Sequence, residues 1–228
     1  MDGTLWLAIG FVALNLLILM EVADRLSLKG DLEIARDIQL AMLPGEMRDT
    51  GDVTISGVTR PANTVGGDFY DILTMPDGRL MIAVGDVAGK GSPAALLMAL
   101  LLAMLRTLVD EGHDAARLVE RLNTQVVRHS PPSRFITLFY GVYDPRDGSV
   151  VFVNAGHLPP LVRRKDGRIE RVGTTAKSGL ALGMFEGSEY EAGEVQLDPG
   201  DALLMYSDGL TEAESPDGTP FDEAGLER

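Results

Sequence analysis

The sequence predicts an α+β fold, with antiparallel sheets and helices packed outside them. From Val53 onwards, apolar residues recur with a period of two, which is typical of strands. Turn sequences such as Asp166-Gly167 separate successive runs and favour hairpins. Two segments with helical spacing lie together between the early and late strands, so strands and helices are segregated and do not alternate.

The predicted strands are short runs bounded by turn residues. They cover residues 53–58, 80–84, 135–143, 149–154, 161–165, 168–172, 190–197 and 202–206. The run 80–84 is apolar almost throughout, which indicates a central strand. Asp77-Gly78 and Asp147-Gly148 are interpreted as hairpin turns.

Two helices are predicted between these strands. Residues 93–110 are strongly apolar and begin at Pro93, with Ser92 as the predicted N-cap. The methionine and leucine residues of this helix are assigned to the core. Residues 114–128 are amphipathic, with Leu118 and Leu122 on the apolar face.

The N-terminus differs from the rest of the chain. Residues 4–20 are apolar except for Asn15, a length near the lower limit for crossing a bilayer. A secretory signal peptide is disfavoured, because it would carry positive charge before the apolar run and small residues after it. We therefore predict that residues 1–20 form a transmembrane helix. A buried helix or the start of a coiled coil is the alternative.

The charges after this run predict its orientation. Arg25 and Lys29 follow the apolar segment, which favours the cytoplasm for everything C-terminal to it. We predict a single-pass protein of a bacterial inner membrane. Residues 21–45 are predicted as a helical linker that ends at Pro44-Gly45, and residues 46–228 as the folded domain.

Composition excludes several functional classes. The chain has 228 residues, of which 45% are apolar, a formal net charge of −14 and no cysteine. Nucleic-acid binding is disfavoured because it needs clustered lysine and arginine. Disulfides, thiolate zinc sites and cysteine nucleophiles are excluded. The acidic balance fits a protein that gathers carboxylates around cations, and it equally fits simple solubility.

Three aspartates carry the main chemical prediction. Asp68, Asp86 and Asp208 each stand beside a glycine at the edge of an apolar strand, and each is expected to follow its strand. Charges there are costly unless they are paired or bound to metal, and oxygen ligands of this kind suit Mg²⁺ or Mn²⁺. Two such ions would activate a water for in-line attack on a phosphoryl group. The alternative is that each aspartate only caps a turn.

A glycine-rich loop follows the second aspartate. Residues 85–91 read Gly-Asp-Val-Ala-Gly-Lys-Gly and lead directly into a helix, where backbone amides attract anions. The spacing is not that of a Walker-type loop. Lys90 either holds a substrate phosphate or caps the loop.

Four motifs together carry a family resemblance. In this order they resemble the SpoIIE-type branch of the metal-dependent phosphoprotein phosphatases (the PPM superfamily), as does the helical segment 31–44. The motifs are Gly66-Gly67-Asp68-Phe69-Tyr70-Asp71, the loop from Gly85 to Ala95, Asn154-Ala155-Gly156-His157 with Pro159-Pro160, and Ser207-Asp208-Gly209-Leu210-Thr211-Glu212.

The resemblance implies a fold, an activity and a set of ligands. It implies an α-β-β-α sandwich with two manganese or magnesium ions between the sheets. It implies phosphoserine or phosphothreonine proteins as substrates, such as anti-sigma-factor antagonists. Asp68 and Asp86 would bind metal, with Asp86 bridging the ions. The Val87 main-chain carbonyl would be a further ligand, and Asp208 would bind on the other side.

Other residues of the motifs have weaker assignments. Gly89, Lys90, Gly91 and His157 are candidates for contact with the substrate phosphate. His157 is also a candidate general acid, although its motif more often marks a structural turn.

One departure from the family pattern affects the metal site. The family continues with a helix and a last strand that carries another metal-binding aspartate, whereas the given sequence stops at Arg228. Asp217 and Asp222 come too early to match. We therefore expect residues 46–228 to lack this helix and strand. The sequence is a fragment, or one metal position is weakened. Alternatives to the phosphatase are a weak or inactive docking module of the same fold, and a different metal-dependent phosphohydrolase acting on nucleotides or small phosphates.

The linker helix is a candidate regulatory element. Its apolar face carries Leu32, Ala35, Ile38 and Met42, which must be buried on something. The candidates are the catalytic domain, a second copy of the chain and an activating partner, each through residues 21–43. We predict a switch that acts on the loop of Asp68, with a passive spacer as the alternative.

Overall fold

The structure is a computed structural model that describes residues 3–61, 63–131, 133–173 and 178–226. The ends of the predicted segments 1–20 and 46–228 therefore lie outside the described residues. The elements in chain order are α1 Gly3–Met42, β1 Met47–Asp49, β2 Thr54–Ser56, β3 Phe69–Thr74, β4 Leu80–Val87, α2 Ser92–Asp110, α3 Ala115–His129, β5 Ile136–Asp144, β6 Ser149–Ala155, β7 Leu161–Arg163, β8 Ile169–Arg171, β9 Gly193–Gln196, β10 Ala202–Leu204, α4 Asp208–Thr211 and α5 Asp222–Leu226.

The strands form two antiparallel sheets and a small hairpin, which confirms the predicted α+β class. The larger sheet has the order β3-β4-β5-β6-β9, and the smaller has the order β10-β7-β8. Strands β1 and β2 form the separate hairpin. Strand β4 lies inside the larger sheet between β3 and β5, as its apolar sequence predicts.

Two hydrophobic cores lie on opposite faces of the larger sheet. Helices α2 and α3 cover one face, where residues such as Met98, Leu122 and Tyr140 are almost completely buried. The other face packs on the smaller sheet, with Phe139 and Phe152 stacked at a ring-centroid distance of 5.4 Å. Burial of each large apolar side chain contributes about 1.5–3 kcal/mol, so the edge of this sheet is a rigid support for a site.

The beginning of α2 differs from the prediction. Ser92 is the first helical residue and not the N-cap, and Gly91 occupies the cap position with φ +72°. A positive φ is favourable for glycine and strained for serine, which explains the displacement by one residue. Pro93 lies in the first turn, where its missing N–H is not needed.

Helix α1 unites the predicted transmembrane segment and the linker in one helix of 40 residues. Its length is about 60 Å at 1.5 Å per residue. Every residue from Gly3 to Lys29 is exposed, so this half does not pack on the domain. It is long and apolar enough to cross a membrane.

The C-terminal part of α1 packs on the domain through most of the predicted face, with one residue exchanged. Leu32, Ala35 and Met42 are half-buried as expected, but Ile38 is 59% exposed. Gln39 takes its place and is 6% exposed. A polar residue lies in the contact because both ends of its side-chain amide find backbone partners in the domain.

Candidate functional site

The three predicted aspartates come together at one edge of the larger sheet. Carboxylate oxygens of Asp68, Asp86 and Asp208 all lie within 4.8 Å of one another. Asp86 lies in β4, and Asp208 is the first residue of α4. Asp68 precedes β3, so the prediction that each aspartate follows its strand is wrong for this residue.

Strand register explains how Asp68 reaches Asp86. Strands β3 and β4 are antiparallel, with Phe69 opposite Gly85. The start of one strand therefore meets the end of the other, and the residues before and after this pair become neighbours. The candidate site is built by this pairing and not by the ends of successive parallel strands.

Gly67 allows the close approach of the loop before β3. A Cβ atom on this residue would lie 2.6 Å from the Val87 carbonyl oxygen and 2.8 Å from Asp86 Oδ1. A larger residue would displace the loop, because both contacts are with fixed oxygen atoms. The Val87 carbonyl oxygen and the Asp86 carboxylate therefore face the same small space, as two ligands of one cation would.

The segment that carries Asp208 is joined to Asp68 by a hydrogen bond. Ser207 lies directly before Asp208, and its Oγ donates to Asp68 Oδ2 at 3.0 Å. Gly209 lies in the same segment, and a Cβ atom there would lie at an ordinary contact distance of 3.7 Å from Asp68 Oδ2. The position of Asp208 thus depends on Asp68 as well as on α4.

The cluster is electrostatically strained without a cation. Burial, the adjacent Asp68 carboxyl group and the charge of Asp208 raise the pKa of Asp86 to about 7. A divalent cation would offset the repulsion and is a hard acid that prefers carboxylate and carbonyl oxygens. The donor set therefore fits Mg²⁺ or Mn²⁺.

His157 has the contacts of a structural residue. Its backbone N–H donates to Asn154 Oδ1 at 2.8 Å, and Asn154 Nδ2 donates to the His157 carbonyl oxygen at 3.0 Å. Its ring is buried, and Nδ1 lies 3.0 Å from Thr137 Oγ1. Burial lowers the pKa of the imidazole. These contacts favour the structural turn over the general acid.

The glycine-rich loop lies beside the cluster. Gly89 and Gly91 have φ angles of +111° and +72°, which only glycine adopts without strain. Lys90 is exposed, and in the part of the chain that the structure describes it makes no hydrogen bond or ion pair. This arrangement favours a free cation over a residue that caps the loop.

The later aspartates do not join the cluster. Asp217 belongs to a turn closed by Ser215, and Asp222 begins α5. Among the described residues, the grouping of metal-binding side chains contains only Asp68, Asp86 and Asp208.

Two residues near the site have no local signal in the sequence. Arg134 Nη1 donates to the Ala88 carbonyl oxygen at 2.6 Å, and Gln39 Nε2 donates to the Gly66 carbonyl oxygen at 2.7 Å. Each contact joins residues distant in sequence, so no motif or period predicts it.

Residues 76–228 match the sequence profile of the stage II sporulation protein E (SpoIIE) family. The chain belongs to the SpoIIE family. This confirms the resemblance. Asp68 precedes the matched residues, so its place in the site rests on the geometry.

Relatives in the family include two longer proteins. Protein IcfG of Synechocystis is 32% identical over an alignment of 227 positions, which covers 88% of this chain and 35% of IcfG. Phosphoserine phosphatase RsbU of Bacillus subtilis is 29% identical over 192 residues, covering 84% of this chain and 56% of RsbU. The chain thus spans about a third to just over half of these relatives.

Solved structures confirm the fold. The RsbU and RsbW domains of a Mycobacterium tuberculosis protein align with a TM-score of 0.62 and 32% identity, covering 75% of this chain and 46% of that chain. The SiaA-PP2C domain of Pseudomonas aeruginosa aligns with a TM-score of 0.73 and 23% identity, covering 90% of this chain and 82% of that chain. The sandwich expected from the resemblance is therefore a PP2C-like fold.

Proposed function

We propose that this chain is a metal-dependent phosphatase that removes phosphate from phosphoserine or phosphothreonine on a regulatory protein, such as an anti-sigma-factor antagonist. The convergence of Asp68, Asp86 and Asp208 within 4.8 Å carries this proposal. Family membership supports it, because relatives include the phosphoserine phosphatases RsbU and RsbP of Bacillus subtilis.

The residues of the cluster have separate roles in this proposal. Burial and both neighbouring carboxylates raise the pKa of Asp86, and its carboxylate would suit a ligand shared by two ions. Asp68 and Asp208 would each complete one side, and the Val87 carbonyl oxygen would add a neutral ligand. When bound, two Mn²⁺ or Mg²⁺ ions would supply an activated water and neutralise charge on the phosphoryl group.

A docking module of the same fold is the second candidate. The described residues bring three carboxylates to the cluster, and Asp217 and Asp222 stay apart from it. A site with fewer anionic ligands holds its ions more weakly. In that case the chain would bind a phosphoprotein or partner with little turnover.

Turnover of a phosphoserine peptide separates these candidates. With Mn²⁺, the full chain in detergent is expected to release phosphate from the peptide, and excess chelator is expected to stop the release, because the carboxylates alone offer no activated water. ATP serves as the comparison substrate. Undiminished turnover in chelator would contradict metal dependence, and faster hydrolysis of ATP would favour the nucleotide phosphohydrolase. No turnover by protein that binds Mn²⁺ would favour the docking module.

We also propose that residues 4–20 anchor the chain in the inner membrane, with the domain in the cytoplasm. Large apolar side chains on this half of α1 are exposed, including Trp6, Phe11 and Leu17. Arg25 and Lys29 lie just after the span.

Fractionation of bacterial cells tests the anchor. The full chain is expected in the membrane fraction, and a chain that starts at Glu21 is expected in the soluble fraction, since it lacks the apolar run. Protease added outside spheroplasts is expected to spare the domain. Recovery of the full chain without detergent would show that the helix pairs with protein and not with lipid.

We also propose that α1 regulates the site. Its C-terminal end is hydrogen-bonded to the loop before β3, and this loop carries Asp68. Gln39 makes two hydrogen bonds with the Gly66 backbone, through Nε2 at 2.7 Å and Oε1 at 3.2 Å. Gly66 is two residues before Asp68. A shift of this helix would therefore move the loop that carries a proposed ligand.

Two further contacts hold the same helix end. Arg106 donates through Nη2 to the Met42 carbonyl oxygen at 2.6 Å and forms an ion pair with buried Asp71 at 2.8 Å. The Tyr70 hydroxyl lies 3.1 Å from the Pro44 carbonyl oxygen. Tyr70 and Asp71 both belong to β3, so helix and strand are expected to move together. Exposed Ile34 and Ile38 leave a separate face for a second copy or an activating partner.

A further inference from the structure

Arg134 lies beside β4, the strand that carries Asp86, although it is distant from this strand in sequence. The Phe135 carbonyl oxygen accepts a hydrogen bond from Ala88 N–H at 2.9 Å, and Ile136 is the strand partner of Val87. Arg134 therefore begins next to the point where β4 passes into the glycine-rich loop.

The guanidinium group of Arg134 crosses this loop. Its Nη1 donates to the Ala88 carbonyl oxygen at 2.6 Å. A Cβ atom on Gly89 would overlap Nη1 and lie 2.8 Å from Cζ. Glycine at position 89 therefore leaves the space that the arginine occupies, in addition to permitting the backbone angle of +111°.

Most of the hydrogen-bonding capacity of this guanidinium remains available. The group has five N–H donors, and the described residues account for one hydrogen bond. Other half-buried arginines pair with carboxylates, as Arg106 does with Asp71 and Arg164 does with Asp201. Among the described residues Arg134 has no such partner, in a chain whose net charge is −14. A half-buried cation of this kind is suited to an anionic ligand.

We propose that Arg134 is a substrate-binding residue whose guanidinium group holds oxygens of the phosphoryl group beside the carboxylate cluster. This inference rests on the proposed phosphatase function and assigns a residue to it. A phosphoryl dianion is repelled by Asp68, Asp86 and Asp208, so a positive charge held on the loop that follows Asp86 favours its approach.

Arginine suits this role better than the nearby lysine. A planar guanidinium binds phosphate through two parallel N–H bonds, whereas Lys90 offers a flexible point charge. Arg134 is already held by the Ala88 carbonyl oxygen and the space above Gly89, so less side-chain entropy is lost when phosphate binds. Lys90 is exposed and would have to be ordered.

Calorimetric titration with inorganic phosphate tests the proposal without turnover. With saturating Mg²⁺, Arg134→Ala is expected to weaken phosphate binding about 10–100-fold, the loss typical for a hydrogen bond to a charged group. Gly89→Ala is expected to show a similar loss, because its Cβ displaces the guanidinium. Arg134→Lys is expected to fall between wild type and Arg134→Ala.

Arg117→Ala is the matched control. It removes the same charge from an arginine that is 61% exposed near the beginning of α3, about 18 Å along the helix from its end at His129. Phosphate affinity is expected to stay as in wild type. Mg²⁺ affinity is expected to be unchanged in Arg134→Ala, Arg134→Lys and Arg117→Ala. Gly89→Ala is expected to lower it as well if the strained backbone displaces the loop.

The outcomes separate this inference from the proposed activity. Unchanged phosphate affinity in folded, metal-loaded Arg134→Ala would overturn it and leave Arg134 as a loop contact. If Arg134→Ala does not fold, unchanged phosphate affinity in Arg134→Lys would overturn the inference. Absence of phosphate binding by the wild-type protein would also overturn it. Arg134-dependent phosphate binding without peptide turnover would support the inference and contradict the phosphatase.

Discussion

Asp86→Asn is expected to lower metal-dependent hydrolysis of a phosphoserine peptide by about 10³-fold or more. The substitution removes a carboxylate from the proposed metal site, and metal ions contribute several kcal/mol of transition-state stabilisation. Loss of Mn²⁺ binding is expected in parallel. Calorimetry with Mn²⁺ and a phosphate-release assay at saturating Mn²⁺ measure the two effects.

The same substitution is expected to stabilise the metal-free protein. The raised pKa of Asp86 means that ionisation of its carboxyl group opposes folding at neutral pH. Because the group is only half-buried, we expect a gain of about 1–2 kcal/mol in the free energy of unfolding. The gain is expected in full above pH 7 and should vanish as the pH falls towards 4, where wild-type Asp86 is protonated in the folded state. Chemical unfolding in chelator at several pH values measures it.

Asp77→Asn is the control for the measurements of turnover and Mn²⁺ binding. Asp77 lies in an exposed hairpin turn that closes with Arg79, away from the cluster. Turnover and Mn²⁺ binding are expected to stay as in wild type. Full turnover by Asp86→Asn would remove the cluster from the mechanism, whereas lower stability of its metal-free form would contradict the repulsion between the carboxylates.

Much of the fold follows from patterns that the sequence displays directly. The mostly apolar runs of β4 to β6 and the apolar surface of α2 reflect burial of neighbouring residues, which local sequence patterns record. Short edge strands are harder to predict. β1 and β3 were not assigned, because three to six residues of mixed burial give too little period.

The candidate site was predictable in its residues but not in its assembly. Aspartates beside glycine at strand edges are costly enough to indicate metal, and Asp68 and Asp86 were found in this way. Their contact depends on the register that sets Phe69 opposite Gly85, which no local pattern encodes. Arg134 was missed for the same reason, since strand pairing alone brings it to Ala88.

Gln39→Ala is expected to lower turnover about 10–100-fold at limiting Mn²⁺, with partial recovery at saturating Mn²⁺. The substitution leaves the N–H and carbonyl groups of Gly66 without their partners, and because Gly66 is half-buried the cost is at most about 1–3 kcal/mol for each group. The loop is then expected to move towards other partners and to carry Asp68 with it. A displacement of about 1 Å at a catalytic group costs as much as 10²-fold in rate.

Dependence on Mn²⁺ distinguishes this effect from a general loss of stability. If Asp68 binds metal as proposed, its displacement weakens that binding, so the Mn²⁺ concentration for half-maximal turnover is expected to rise. Partial unfolding would instead lower the maximal rate alone. Gln39→Glu keeps an acceptor for the Gly66 N–H but loses the donor to its carbonyl oxygen, and it is expected to be intermediate.

Two controls separate helix contact from helix presence. Glu33→Gln changes an exposed residue of the same helix, and a chain that starts at Glu21 retains Gln39 without the apolar half. Both are expected to match wild type, because neither alters the contact with Gly66. Equal rates and equal Mn²⁺ requirement in Gln39→Ala would leave α1 as a passive tether. A defect confined to Gln39→Ala and Gln39→Glu would identify this side chain as the connection through which the proposed movement of α1 would reach the loop that carries Asp68.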